Sequence, residues 1–223
     1  MRRLEIRRLG IVPYRDALAL QRALVEERRA NRVPDLLLLL QHPPVITLGV
    51  KGDGGRANVV AAASRLAELG IDISESGRGG DVTYHGLGQI VGYPILDLRP
   101  DRCDVHRYLR DVEEAMIRVC ADYRVAARRL EGLSGTWVGD DKIGAIGVRI
   151  SRWITSHGFA FNVNTDLDHF DLIVPCGILN RGVTSLQRAT GRTISIDEVE
   201  DSVIRHFCGV FQRDVTDRMQ AFA

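Results

Sequence analysis

The chain has 223 residues, is 45% hydrophobic and 26% charged, and carries a formal net charge of +1 at neutral pH. That length and apolar content suit one large core, and the near-neutral balance predicts no nucleic-acid partner. The run Leu36 to Leu40 is far too short to span a bilayer, the N-terminus lacks a signal-peptide apolar core, and the four cysteines show no CxxC spacing, so a cytoplasmic protein with reduced thiols, no metal and no membrane partner is expected.

Alternation around Leu4 and Ile6 predicts a first strand. Pro13 then opens a helix whose apolar stripe is Tyr14, Ala17, Leu18, Gln21, Leu24 and Val25. The runs 35–42 and 45–49, split by Pro43-Pro44, read as two buried strands. The Gly-rich stretch 49–59 reads as a surface loop, followed by a short helix near 60–69 that ends at Gly70 and a strand at "IDIS". Residues 81–98 read as two strands joined around Gly86-Leu87-Gly88.

The strongest helical signal is 104–122, with Val105, Tyr108, Val112, Ala115, Met116, Val119 and Cys120 on one stripe. "GTWVG" and "KIGAIGVRI" flank a hairpin turn at Gly139-Asp140-Asp141, and 154–163 adds a strand. Ser195 and Glu198 form a capping box for a helix that runs to about residue 212. Hairpins with helices at intervals predict an α+β fold, a mixed β-sheet flanked by helices, as one catalytic domain over 1–215 with a frayed tail from 216 to 223.

Lysine is nearly absent: Lys51 and Lys142 stand against 28 arginines. The arginine pairs at 2–3, 7–8, 28–29 and 128–129 read as solvated faces. A lysine retained in such a background is a candidate for work that the permanently charged guanidinium cannot do, such as exchanging a proton. Lys51 lies in the Gly-rich loop as a solvated charge, whereas Lys142 opens an apolar hairpin strand. Cys176, between Pro175 and Gly177, is either a small buried filler or a nucleophile presented after the run Leu172-Ile173-Val174. A neighbouring ammonium would lower its pKa and favour the second reading. Arg78-Gly79-Gly80 offers side-chain-free backbone beside a cation, suited either to a ligand or to a tight turn. His85 and His157 are each a substrate contact or a satisfied structural histidine. No HExxH, P-loop or GxSxG motif is present.

Four motifs, "RGGDVTYHGLGQIVGYPILDL", "KIGAIGVR", "HGFAFNV" and "IVPCGI", resemble in order and spacing the lipoyl(octanoyl) transferase family. Leu87 departs from the family's usual proline. The resemblance implies a fold like the catalytic domains of biotin and lipoate protein ligases. It also implies transfer of octanoyl, or lipoyl, from octanoyl-acyl carrier protein to a lysine of lipoyl domains, the first step of endogenous protein lipoylation. The implied acceptors are the lipoyl domains of 2-oxoacid dehydrogenase complexes and the glycine cleavage H protein, and no cofactor is implied. The family's nucleophile falls on Cys176 and its pKa-lowering lysine on Lys142. Substrate-lining positions fall on Arg78, Gly79, Gly80, Asp81, Val82, Thr83, Tyr84 and His85, on Ala145, Ile146 and Gly147, and on Gly158, Phe159 and Ala160. Two alternatives remain: an ATP-dependent lipoate or biotin ligase of the same fold, which needs no nucleophilic thiol, and a non-catalytic module that binds acyl carrier protein.

Overall fold

The computed structural model describes residues 2–51, 56–174 and 181–217. In chain order, β1 (Arg2–Ile11), α1 (Tyr14–Arg29), β2 (Asp35–Gln41) and β3 (Val45–Leu48) lead to α2 (Ala63–Glu68), β4 (Asp72–Glu75), β5 (Thr83–His85) and β6 (Gln89–Ile95). There follow α3 (Val105–Asp122), β7 (Ala127–Leu130), β8 (Leu133–Val138), β9 (Asp141–Ser151) and β10 (Ile154–Asn162). The chain closes with α4 (Leu186–Thr190), α5 (Ile196–Phe211) and β11 (Arg213–Asp217). Among the described residues the strands form an eight-stranded sheet, ordered β11-β1-β2-β6-β10-β9-β8-β7, and a three-stranded sheet, β4-β3-β5. The large sheet is mixed: β1 runs parallel to both β11 and β2, while β2, β6, β10, β9, β8 and β7 pair antiparallel in turn.

The five leucines of β2 explain the layering. Side chains alternate across a strand, so a run that is apolar at every position needs cover on both faces. Leu37 and Leu39 join Ile90, Phe161, and the stripes of α3 and α5 in one core. Leu36, Leu38 and Leu40 join Val91, Tyr93, and Ala17 and Leu24 of α1 in a second core on the opposite face. The small sheet closes a third core around Ile46, Leu66, Tyr84 and Phe170.

Most predicted elements appear where the pattern places them. Helix α3 is capped by the Asp104 carboxylate, which accepts from the Arg107 N–H at 3.0 Å. Its predicted stripe is buried except for Val105, which is exposed. The hairpin turn pairs Val138 with Asp141, with Gly139 at φ +60°. Ser195 caps α5 by accepting from the Glu198 N–H. Two strands have no counterpart in the sequence pattern, β7 and β11. Strands β5 and β6 are consecutive but belong to different sheets: β5 pairs with β3, and after Gly86-Leu87-Gly88 β6 pairs with β2 and β10. The predicted 49–59 loop lies partly outside the described residues.

One buried ion cluster joins three edges of this layout. The Asp35 carboxylate, at the start of β2, accepts from Arg28 Nε of α1 at 2.8 Å, from Arg213 Nε of β11 at 3.1 Å and from the Asp97 N–H at 3.0 Å. The Asp35 and Arg213 side chains are fully enclosed, so removing the carboxylate strands a buried guanidinium. Asp35→Ala is expected to cost about 3–5 kcal/mol, read as a lowered urea midpoint.

Candidate active site

Where the two sheets meet, the backbone comes so close that only glycine fits. The N–H of Gly79 donates to the Val148 carbonyl at 2.9 Å, docking the loop after β4 onto β9. A Cβ on Gly79 would lie 2.9 Å from that same oxygen. A Cβ on Gly147 would lie 2.9 Å from both Arg78 Cδ and the Gly79 carbonyl. Residues Val50 and Lys51 bind the other side of this loop through their N–H groups, to the carbonyls of Arg78 and Gly80. Its glycines therefore serve close backbone approach.

Arg78 is buried and faces inward. Its Nη2 donates to the Thr47 carbonyl at 2.7 Å and to Thr47 Oγ1 at 3.1 Å, and Nη1 donates to the Gly79 carbonyl at 3.1 Å. Much of the guanidinium is thus engaged in joining β3 to the loop. Asp81 is engaged likewise, accepting from Asn58 Nδ2 at 2.9 Å and from the Val82 N–H at 2.7 Å.

Between the sheets runs a narrow cavity with about 70 Å³ of free space, enough for roughly five waters in file. Arg78, Gly80, Asp81, Val82, Thr83 and His85 line one wall. Ala145, Ile146 and Gly147 of β9, with Gly158, Phe159 and Ala160 of β10, line the other. Of the predicted substrate-lining positions, Gly79 and Tyr84 fall outside this wall. Tyr84 turns toward the third core, where its hydroxyl bonds His169 Nδ1 at 2.8 Å and burial raises its pKa to about 12. The structure adds Tyr14, Val91, Tyr93 and Ser134 to the lining, and places His157, one of the two candidate histidines, there as well. Tyr14 gave no signal in the sequence, because it sits on the apolar stripe of α1 and reads as core.

Lys142 also lines the cavity. Its Nζ lies 4.7 Å from the centroid of the buried Trp137 ring, which also faces the Arg181 guanidinium. The Lys142 N–H donates to the Gly182 carbonyl, and its own carbonyl accepts from the Thr184 N–H, both at 3.0 Å. A chain of buried polar groups continues inward. Asn162 Nδ2 donates to the Thr184 carbonyl, Gln89 Nε2 donates to Asn162 Oδ1, and His85 Nδ1 donates to Gln89 Oε1.

Tyr14, Tyr93, His85 and His157 form an aromatic part of the lining, backed by His42. His42 Nδ1 donates to the Val12 carbonyl and its Nε2 accepts from the Tyr93 hydroxyl, both at 2.7 Å. Tyr14 stacks on His85 and meets His42 edge-on. Burial drives all three imidazoles down: His42 to about 4, His85 to about 3 with help from His42 and Arg78, and His157 to about 4 with help from Arg78, Arg149 and Arg22. They are neutral at physiological pH.

Cys176 lies outside the described residues. Burial lifts the thiol of Cys120 to about 12 and that of Cys208 to about 11, which holds both protonated. Cys103 is exposed, before α3 and away from the cavity lining. Among the described residues no cluster of three His, Cys, Asp or Glu could hold a metal, and no helix is long and apolar enough to cross a membrane.

The family model for the lipoyl protein ligase A/B catalytic domain matches residues 13–208. An octanoyltransferase of Myxococcus xanthus is 49% identical over 223 residues, covering 97% of this chain and 62% of its own length. One from Rubrobacter xylanophilus is 51% identical, covering 92% of both chains. The fold is that of a putative lipoate protein ligase from T. acidophilum, with a TM-score of 0.75, 20% identity, and coverage of 100% of this chain and 90% of that one.

The neutral histidines set an acid limit on stability. Each has a folded pKa below the ordinary 6.5, so the unfolded chain binds protons first as pH falls. Their stabilisation is complete above pH 6.5 and is lost progressively toward pH 4 and below. Urea midpoints are expected to fall steeply across this range, and less steeply in His42→Asn.

Proposed function

The chain is an acyltransferase of the lipoyl protein ligase A/B catalytic domain family, and from that premise we propose that it moves octanoyl from acyl carrier protein to a lysine of a lipoyl domain through a thioester on Cys176. The supporting observation is the position of Lys142. It lines a largely apolar slot, and its backbone is paired with Gly182 to Thr184, which begin six residues after Cys176. The lowest-energy home for an eight-carbon chain is such a slot, at about 0.8 kcal/mol per buried methylene.

Lys142 takes the Cys176 proton. The thiolate attacks the donor carbonyl carbon, the donor carbon–sulfur bond breaks, and the donor thiol leaves with the proton from Lys142. In the second half, the acceptor lysine first loses its own extra proton to solvent. Its neutral amine then attacks the Cys176 thioester carbonyl. Lys142 takes the proton from that nitrogen, and the bond to Cys176 breaks to restore the thiolate. Covalent relay replaces one difficult transfer with two easier ones. The acceptors in this reading are the lipoyl domains of 2-oxoacid dehydrogenase complexes and the glycine cleavage H protein.

Intact-mass analysis after mixing with octanoyl-acyl carrier protein, without ATP, is expected to show one octanoyl adduct, absent in Cys176→Ala. An adduct on Cys103, Cys120 or Cys208, or a strict need for ATP, would refute the relay and favour an adenylating ligase. Lys142→Arg keeps the charge but cannot exchange the proton. It is expected to slow both half-reactions by roughly a hundred- to ten-thousand-fold, with Lys51→Arg unaffected. Gly79→Val pushes a side chain against the Val148 carbonyl and displaces the cavity wall. A folded protein with transfer slowed by roughly a hundredfold is expected, and normal transfer would make this loop a turn only.

A further inference from the structure

His157 borders two cavities at once: the one that Lys142 also lines, and a second of about 330 Å³ between α1 and the β9–β10 hairpin. We propose that the His157 side chain is the length stop of the acyl cavity, forming the wall between these two spaces and so setting how many carbons the enzyme accepts. The inference rests on the reading that the acyl chain lies between Lys142 and His157.

The backbone places the wall there. His157 sits within β10 yet has φ +54°, the left-handed region, which histidine tolerates better than most residues but which is still uncommon. His157 is the first of four consecutive β10 residues, 157 to 160, that border the acyl cavity. The neighbour Ser156 borders the second cavity. The conformation is also held in place: the His157 N–H donates to Oε1 of the buried Gln21 on α1 at 2.9 Å. Its ring stands edge-on to Tyr93. Among the described residues, His157 Nδ1 and Gln21 Nε2 have no hydrogen-bond partner. Nothing polar therefore fixes the imidazole for a structural purpose, and it serves as a filler between two open spaces.

The distance is appropriate. His157 pairs with Val148, six residues beyond Lys142 on β9, which is roughly 20 Å along the strand. That span is long enough for an extended octanoyl thioester. A neutral imidazole accepts a terminal methyl where a charged one would not. Beyond it the second cavity has a mixed lining, with Leu18, Val25 and Ile154 beside Arg22, Glu26 and Arg149, so a longer chain would have room and some apolar contact there.

Glycine suits a left-handed position and removes the wall, whereas asparagine keeps the conformation and shortens the side chain. The test measures kcat/KM with octanoyl-, decanoyl- and dodecanoyl-acyl carrier protein for the wild type, His157→Gly and His157→Asn. Each methylene newly admitted should favour binding by roughly fourfold, so the decanoyl-to-octanoyl ratio is expected to rise roughly tenfold in His157→Gly and by less in His157→Asn. General damage would lower all three donors alike and leave the ratios unchanged. An unchanged ratio in either variant that is folded and still transfers octanoyl overturns the proposal. Loss of octanoyl adduct formation by the wild-type protein would instead overturn the underlying acyl-transfer reading.

Discussion

The approach of Gly79 to β9 is the contact on which the rest of the site depends. It is a backbone-to-backbone hydrogen bond between two sheets, and it exists because neither Gly79 nor Gly147 carries a Cβ. With that contact made, Arg78 reaches Thr47 and the loop becomes one wall of a slot whose other wall is β9 and β10. A side chain at either glycine would meet backbone across the gap at 2.9 Å, so the contact would have to shift. The cavity is a consequence of this close approach and of the small residues Ala145, Gly158 and Ala160 that line the opposing wall.

The second organising feature is the buried polar chain from Lys142 through Thr184, Asn162 and Gln89 to His85. Each group in it has a partner, which is the condition under which such networks add rigidity. It links the strand that presents the lysine to the segment that lines the slot. The backbone of Lys142 and the wall of the slot are thereby held by one framework.

Much of this was legible in the sequence. The helical stripe of α3, the leucine run of β2, the cap residues Asp104 and Ser195, and the turn at Gly139 all act through neighbours close in sequence, so periodicity reveals them. Strands β7 and β11 were not legible, because "ARRL" and "RDVTD" lack alternation and are strands only by virtue of the partners β8 and β1. The division of β5 and β6 between two sheets was hidden for the same reason. At the site, the motif glycines were recognisable, and their pattern left open a ligand's approach or a tight turn. The structure engages Gly79 against Val148 and places Gly80 in the cavity lining. His157 was a candidate from its motif, but its left-handed backbone was not legible, and Tyr14 was concealed by the apolar stripe of α1.

The pairing of Lys142 with Gly182 and Thr184 is a parallel bridge centred on Val183, so it fixes the register of β9 from outside its own hairpin. Side chains alternate across a strand, and a one-residue slip at this bridge would carry the Lys142 side chain to the opposite face of the sheet.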